Sequence, residues 1–457
     1  MRHLLAALTL APAVAAAQAP AAPPPVRPLG AVEARAAEPL GAAAQVRALP
    51  GGRVLVNDMA RRRVLLFDST LAAYTVVADT TAATGNAYSG RVGGLIPYRG
   101  DSTLFVDPQS LSMLVIAPDG RLGRTLSVPR PSDAFALTGL AFGAPAFAAR
   151  GRLVYRAQPI PMMRGGSGGG PGGPGGAFTP PAFPDSAPVV RVDLATRAVD
   201  TAAFVRTPKM NFSMSTDAGG RTRMQSKINP LPVVDDWAVL SDGTLLVLRG
   251  QDFHADVAGA DGRLAPAPRM PHEWQRLSDE AKQAFLDSTR TAMERRMAAD
   301  TGGVRVTSTN GGGNAVRVGG GPPGGMPGDG GGPMMIVMSG PPGPPPRGGS
   351  GASGPAPDLP RPSFEFVPAS ELPDYKPPFA AGGTRADADG HAWVRLIPTT
   401  PQPGPVYAVV DRQGRLVDRV LLPAGAAIAG FGPGGVVYMA TRDAAGVHLQ
   451  RARVTPK

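Results

Sequence analysis

The chain has 457 residues, 43% of them hydrophobic, which is enough apolar side chain for a sizeable core and excludes a wholly disordered protein. Its 60 Gly and 52 Pro, about a quarter of the total, indicate loop-rich segments grafted on a fold, and the absence of cysteine excludes a disulfide framework, a thiolate metal site and a cysteine nucleophile. The formal net charge of +11 comes almost entirely from arginine, with Lys209, Lys227, Lys282, Lys376 and Lys457 the only lysines; the arginines are scattered, so no nucleic acid is expected as a partner.

In chain order, Arg2 and His3 precede an apolar stretch from Leu4 to Ala17 that ends in Ala15-Ala16-Ala17. A short polar start, an apolar segment too short to span a bilayer and a small-residue cleavage site predict a secretory signal over 1–17. Cleavage after Ala17 would release a periplasmic or secreted protein without a transmembrane segment. Residues 18–37 are rich in Ala and Pro and read as an extended linker.

From residue 38 onward one unit recurs. Its clearest copy is Gly51-Gly52-Arg53-Val54-Leu55-Val56-Asn57-Asp58, followed by Arg63-Val64-Leu65-Leu66-Phe67-Asp68. Copies of the middle strand follow at 103–107, 152–156, 245–249, 391–395 and 435–439, with partner strands at 114–116, 189–193, 253–257, 406–411 and 447–454. Asp119-Gly120, Asp242-Gly243, Asp261-Gly262, Asp389-Gly390 and Gln413-Gly414 supply the positive φ that tight hairpin turns need. The copies are spaced as four-stranded propeller blades, except for two long steps that each hold an insertion. One short meander cannot bury both its faces, but a closed ring of six can.

This unit resembles the NHL-type repeat of six-bladed β-propellers, through Gly52-x-Val54-x-Val56-x-Asp58 and Arg63-Val64-x-x-Phe67-Asp68, with a weaker echo at 409–415. The resemblance implies an all-β fold: a six-bladed β-propeller of four-stranded blades over 38–457. Three insertions are expected. They are a Gly-rich loop at 158–188, a helical segment at 270–300 and a disordered Gly/Pro-rich segment at 301–360, which holds 20 Gly and 12 Pro. The helix is predicted from Ser278 to Asp300, with Ser278 as N-cap and a rough apolar stripe of Leu277, Ala281, Ala284, Phe285, Ala292 and Met293 against the propeller rim.

Candidate chemistry comes from aligning the units. The second strand of each ends on the face that usually binds ligands, at Asn57, Asp107, Arg156, Arg249, Arg395 and Met439. The loops entering the innermost strands add Arg91, Asp235, Asp236 and Arg385. Arg156, Arg249 and Arg395, helped by Arg385, are expected to converge as an anion-accepting mouth, with Asn57, Asp107, Asp235 and Asp236 beside them. The competing expectation pairs the same arginines with the aspartates in an inter-blade network. Asp252-x-His254 offers a base or metal ligand, or a solvated loop pair. His391 is expected in a turn remote from the mouth, and His448 on an edge strand. Gly165-x-Ser167-x-Gly169 lacks the strand and helix that a nucleophile elbow requires.

The leading expectation is an exported, non-catalytic propeller without cofactor, binding a small anionic ligand or an envelope protein. The alternatives are a lactonase- or arylesterase-like hydrolase and an envelope scaffold. The first alternative is metal-dependent, as lactone hydrolases built on six-bladed propellers are; calcium is its expected ion, with Asn57, Asp58, Asp107 and Asp235 as candidate oxygen ligands.

Overall fold

The computed structural model describes residues 22–42, 45–139, 142–148, 151–158, 184–209, 211–216, 222–259, 261–299, 317–318, 336–337, 364–443 and 445–455. The leader expected at 1–17, and most of the segments 158–188 and 301–360, lie outside them.

The ring has six blades. Blade I is Gln45–Ala48, Val54–Asp58, Arg63–Phe67 and Tyr74–Ala78. Blade II is Gly94–Pro97, Thr103–Asp107, Ser112–Ile116 and Leu122–Ser127. Blade III is Ala146–Phe147, Leu153–Arg156, Ser186–Val192 and Val199–Arg206. Blade IV is Asp235–Val239, Leu245–Arg249, His254–Ala258 and Leu264–Pro266. Blade V is Arg385–Ala386, Ala392–Arg395, Val406–Val410 and Leu416–Leu421, and blade VI is Ala427–Gly432, Val436–Asp443 and Gly446–Arg453. Neighbouring strands within a blade are antiparallel, with Val54 opposite Phe67 and Val247 opposite Asp256.

The core follows from strand alternation. Successive side chains of a strand point to opposite faces, and both faces of a blade meet another blade. Val54 and Val56 therefore pack with Tyr438 and Leu449 of blade VI, whereas Leu55 packs with Phe105 of blade II. The pattern repeats round the ring, giving one apolar cluster at each of the six interfaces. Each fully buried Leu, Val or Phe contributes roughly 1.5–3 kcal/mol by leaving water.

The ring is closed by the segment read as a linker. Val32–Arg35 pairs antiparallel with Gly446–Arg453 and is the fourth strand of blade VI. Just before it, Val26–Pro28 pairs parallel with Leu416–Leu421 as a fifth strand on blade V. The strap is pinned by Arg27 on Asp418, with Nε to Oδ1 at 3.0 Å and to Oδ2 at 2.8 Å, and by Gly30 N donating to Arg453 O at 3.0 Å. Any side chain at Gly30 would bring its Cβ to 2.5 Å from that same carbonyl oxygen. His448 is consequently no edge residue: strands flank it on both sides, and it is buried.

The helical segment is α1, Asp279–Ala299, with Ser278 Oγ accepting the Ala281 N–H. Its buried side keeps part of the expected stripe, since Leu277 is buried and Phe285 packs against the same cluster, and differs in the rest. Lys282 and Leu286 are buried while Ala281, Ala284 and Ala292 are exposed, because the helix rests on 366–372 and Leu231 rather than on a blade. The aliphatic stem of Lys282 lies inside, and its Nζ reaches Asp374 at 2.7 Å. A three-stranded sheet of Asn211–Thr216, Thr222–Ile228 and Phe364–Phe366 accompanies it.

Candidate functional site

Alternating strand directions put two kinds of connection on opposite faces of the ring. Loops after the second and fourth strands of each blade emerge on one face, which we call the insertion face, since 157–185, 207–234 and 267–384 all leave from it. Hairpin turns after the first and third strands emerge on the other, the turn face.

The residues aligned from the repeats lie on the insertion face, but most are spent within the ring. Arg249 donates to Asp235 Oδ2 at 2.8 Å, to Asp256 Oδ2 at 2.7 Å and to the Phe204 carbonyl at 2.9 Å. Arg385 turns back onto the carbonyls of Gly382 and Thr384 at 2.9 and 2.8 Å. Arg156 lies over the Phe142 ring with its guanidinium carbon 4.9 Å from the centroid, and burial pulls its pKa down. Its charge bears on Asp236, a fully buried carboxyl that accepts the Trp237 and Thr384 N–H groups at 3.0 Å each. Desolvation raises the pKa of Asp236 against those bonds. Arg395 is half-buried, and Arg385 and Arg395 both act on the buried Tyr407. The structure thus brings Arg156 and Asp236 together and leaves Arg249 in a network of its own.

The acidic and amide side chains do not form a calcium cage. Asn57 donates to Gly93 O at 2.9 Å and accepts the Tyr88 hydroxyl at 3.0 Å. Asp58 takes the Ala42 N–H at 2.9 Å and Arg63 Nε at 3.1 Å. Asp107 accepts Ser89 N and Oγ, Gly90 N and Gln109 N. Asp235 is held by Arg249 and the Arg206 N–H. A hard cation needs six to eight oxygen ligands converging on one point, and these carboxylates have their lone pairs directed at N–H groups of separate blades. Among the described residues no group of three or more His, Asp and Glu is placed to hold a metal. His254 is locked between Asp252 at 2.6 Å and Asp256 at 3.2 Å, so both its ring nitrogens are engaged.

The turn face holds a feature that the repeat alignment passes over. A cleft of about 550 Å³ opens between blades V and VI. Its apolar wall includes Trp393, Val409, Val417 and Phe431, with the Trp393 and Phe431 rings 5.2 Å apart. Its rim includes Asp387, Asp389, His391 and Arg27. Asp387 anchors the turn between the first two strands of blade V. Its Oδ1 accepts the Asp389 and His391 N–H groups at 2.9 and 2.8 Å, and its Oδ2 accepts Trp393 Nε1 at 3.0 Å. Gly390 closes this turn at φ 89°, a conformation side chains resist. Asp389 crosses to blade VI, where Gly434 N and Gly435 N donate to it at 3.0 and 2.7 Å. His391 sits on this frame with its side chain 36% exposed and Nδ1 at 3.1 Å from Asp387 Oδ2. The sequence signal was present, as the Asp387-x-Asp389-Gly390-His391 turn, but it lay on the face opposite to the aligned strand ends.

No family model and no curated protein sequence matches the chain. Solved structures do resemble it. They include a gluconolactonase from Xanthomonas campestris, at 13% identity over 96% of this chain and 98% of that one, TM-score 0.37. The calcium-binding protein regucalcin from Agrobacterium tumefaciens has 9% identity over 94% and 98%, TM-score 0.37. A luciferin-regenerating enzyme has 9% identity over 91% and 92%, TM-score 0.36. Likeness at this level fixes no reaction. The expectation of a binding propeller with an anion-accepting mouth of arginines is corrected by the geometry: Arg249 is held by Asp235 and Asp256, Arg385 by backbone carbonyls, and Arg156 lies over the Phe142 ring with its charge on the buried Asp236.

Proposed function

We propose that the chain is an exported propeller hydrolase, cleaved after Ala17, that acts on small uncharged esters or lactones in the cleft between blades V and VI without a resident metal. The observation that supports this reading is the cleft itself. It has the volume of a small-molecule site, an aromatic and aliphatic wall, and a few polar groups set on rigid turns. The metal-free form is favoured by the way Asp58, Asp107 and Asp235 accept N–H donors and Asn57 Oδ1 accepts the Tyr88 hydroxyl.

The test is a panel of neutral aryl esters and aliphatic lactones offered to the purified mature protein, with and without a chelator. Saturable hydrolysis that survives chelation is expected. Turnover of no member of the panel refutes the reading, and turnover abolished by the chelator refutes its metal-free form.

A further inference from the structure

We infer that His391 is the general base of this cleft and that Asp387 is the residue that positions it. The inference rests on the hydrolase reading and gives it its chemistry. Three of the four groups that reach Asp387 are N–H groups that only donate: the amides of Asp389 and His391 and the indole of Trp393. Both oxygens of Asp387 are therefore already acceptors. The fourth group, His391 Nδ1, faces the same Oδ2 as the indole at 3.1 Å, and we assign it the proton, the tautomer in which Asp387 accepts from all four groups. This leaves the lone pair on Nε2, and no hydrogen bond engages that nitrogen among the described residues. One carboxylate thus fixes both the backbone and the ring of His391, and the ring borders the cleft. That is the preorganisation a base needs, on a turn clamped to the next blade by Asp389.

The reaction assigned to it is direct hydrolysis. Nε2 takes a proton from a water molecule as the water oxygen bonds to the substrate's carbonyl carbon, and the carbonyl π pair moves onto oxygen. The tetrahedral intermediate then re-forms the carbonyl, and the bond to the alkoxy oxygen breaks. That oxygen takes the proton from Nε2, so an ester or lactone plus water becomes an acid and an alcohol. While Nε2 is protonated, the Asp387 carboxylate stabilises the imidazolium. The walls formed by Val409, Val417 and Phe431 suit the hydrocarbon part of an uncharged substrate.

The experiment uses the full mature chain with 4-nitrophenyl butyrate and a neutral δ-lactone. His391→Ala is expected to lose at least about 100-fold in kcat/KM, the low end for removing a general base, and to regain activity when free imidazole is added. Asp387→Asn is expected to lower kcat far more than it changes KM. Nitrogen-15 NMR of the wild type should show Nδ1–H at His391, with that preference lost in Asp387→Asn, a change that a merely structural role would not produce. Thermal unfolding of each variant reports whether the ring is intact, and His391→Gln serves if the alanine variant does not fold. Wild-type activity in a folded His391 variant, or an Nε2–H tautomer in the wild type, overturns the assignment. Absence of hydrolysis by the wild type alongside an Nδ1–H imidazole overturns the hydrolase reading instead.

Discussion

His272 should make the fold sensitive to acid. Its ring lies edge-on to Phe253 and Trp274, with centroids 5.4 and 5.0 Å away, and Nε2 is buried without a hydrogen-bond partner among the described residues. Burial, with a smaller contribution from Arg419, pushes its pKa down to about 4, against the pull of Glu273. The unfolded chain therefore binds a proton between pH about 6.5 and about 4 that the folded chain refuses. The stability is present in full above the unfolded value and is lost as the pH falls through this window. The full shift would amount to about 3 kcal/mol, and solvent reaching part of the ring reduces the expected loss to about 1–2 kcal/mol. His272→Phe keeps an aromatic edge against Phe253 and has nothing to protonate. Urea midpoints of both proteins, measured by circular dichroism from pH 7.5 to 4, should diverge, with the wild type falling by that additional amount. Parallel curves would refute the reasoning.

Three further outcomes are expected. Arg249→Met leaves Asp235 and Asp256 without their shared cation, so it should lower stability by about 2–3 kcal/mol in denaturant titration and leave ester hydrolysis unchanged. Asp389→Ala unpairs the Gly434 and Gly435 amides and should cost about 1 kcal/mol by the same assay. Truncating the strap before residue 31 removes only the fifth strand of blade V and should lower Tm by a few degrees, whereas truncating it before residue 37 opens the edge of blade VI and should produce aggregation or a far larger drop.

The ring was legible because strands buried on both faces must be apolar throughout, and hairpin turns need Gly at positive φ. Leu245-Leu246-Val247-Leu248 and Asp242-Gly243 satisfy both rules, and the structure places them in a blade IV strand and its turn. The strap was not legible in the same way. Its first strand, Val26-Arg27-Pro28, carries a proline, and its second, Val32-Glu33-Ala34-Arg35, carries two charges, because an outermost strand has one edge in water. Propensity cannot distinguish such a strand from a polar linker; the partner that makes it a strand lies more than 400 residues away in the chain. The α1 stripe was legible only in part, at Leu277 and Phe285, for a related reason. Lys282 is buried through its stem, and a reading by residue class assigns it to solvent.

The candidate site divides along the same line. Aligning strand ends groups charged residues on one face, but alignment cannot say whether an arginine points into a channel or across a blade. Arg249 shows the difference: Asp235 and Asp256 stand on the strands either side of it, at registers that the sequence does not mark, and both take its guanidinium. His391 presents the opposite case. One aspartate four residues earlier holds its backbone and its ring, so the local spacing alone sets the dyad, and only the choice of face hid it. What the ring adds is the neighbour. Blade VI brings Phe431 and the Gly434-Gly435 amides against the blade V turn, and the strap lays Arg27 along the same opening. A turn that would otherwise be solvated becomes the wall of a cleft because of the blade and the strap that the ring sets beside it.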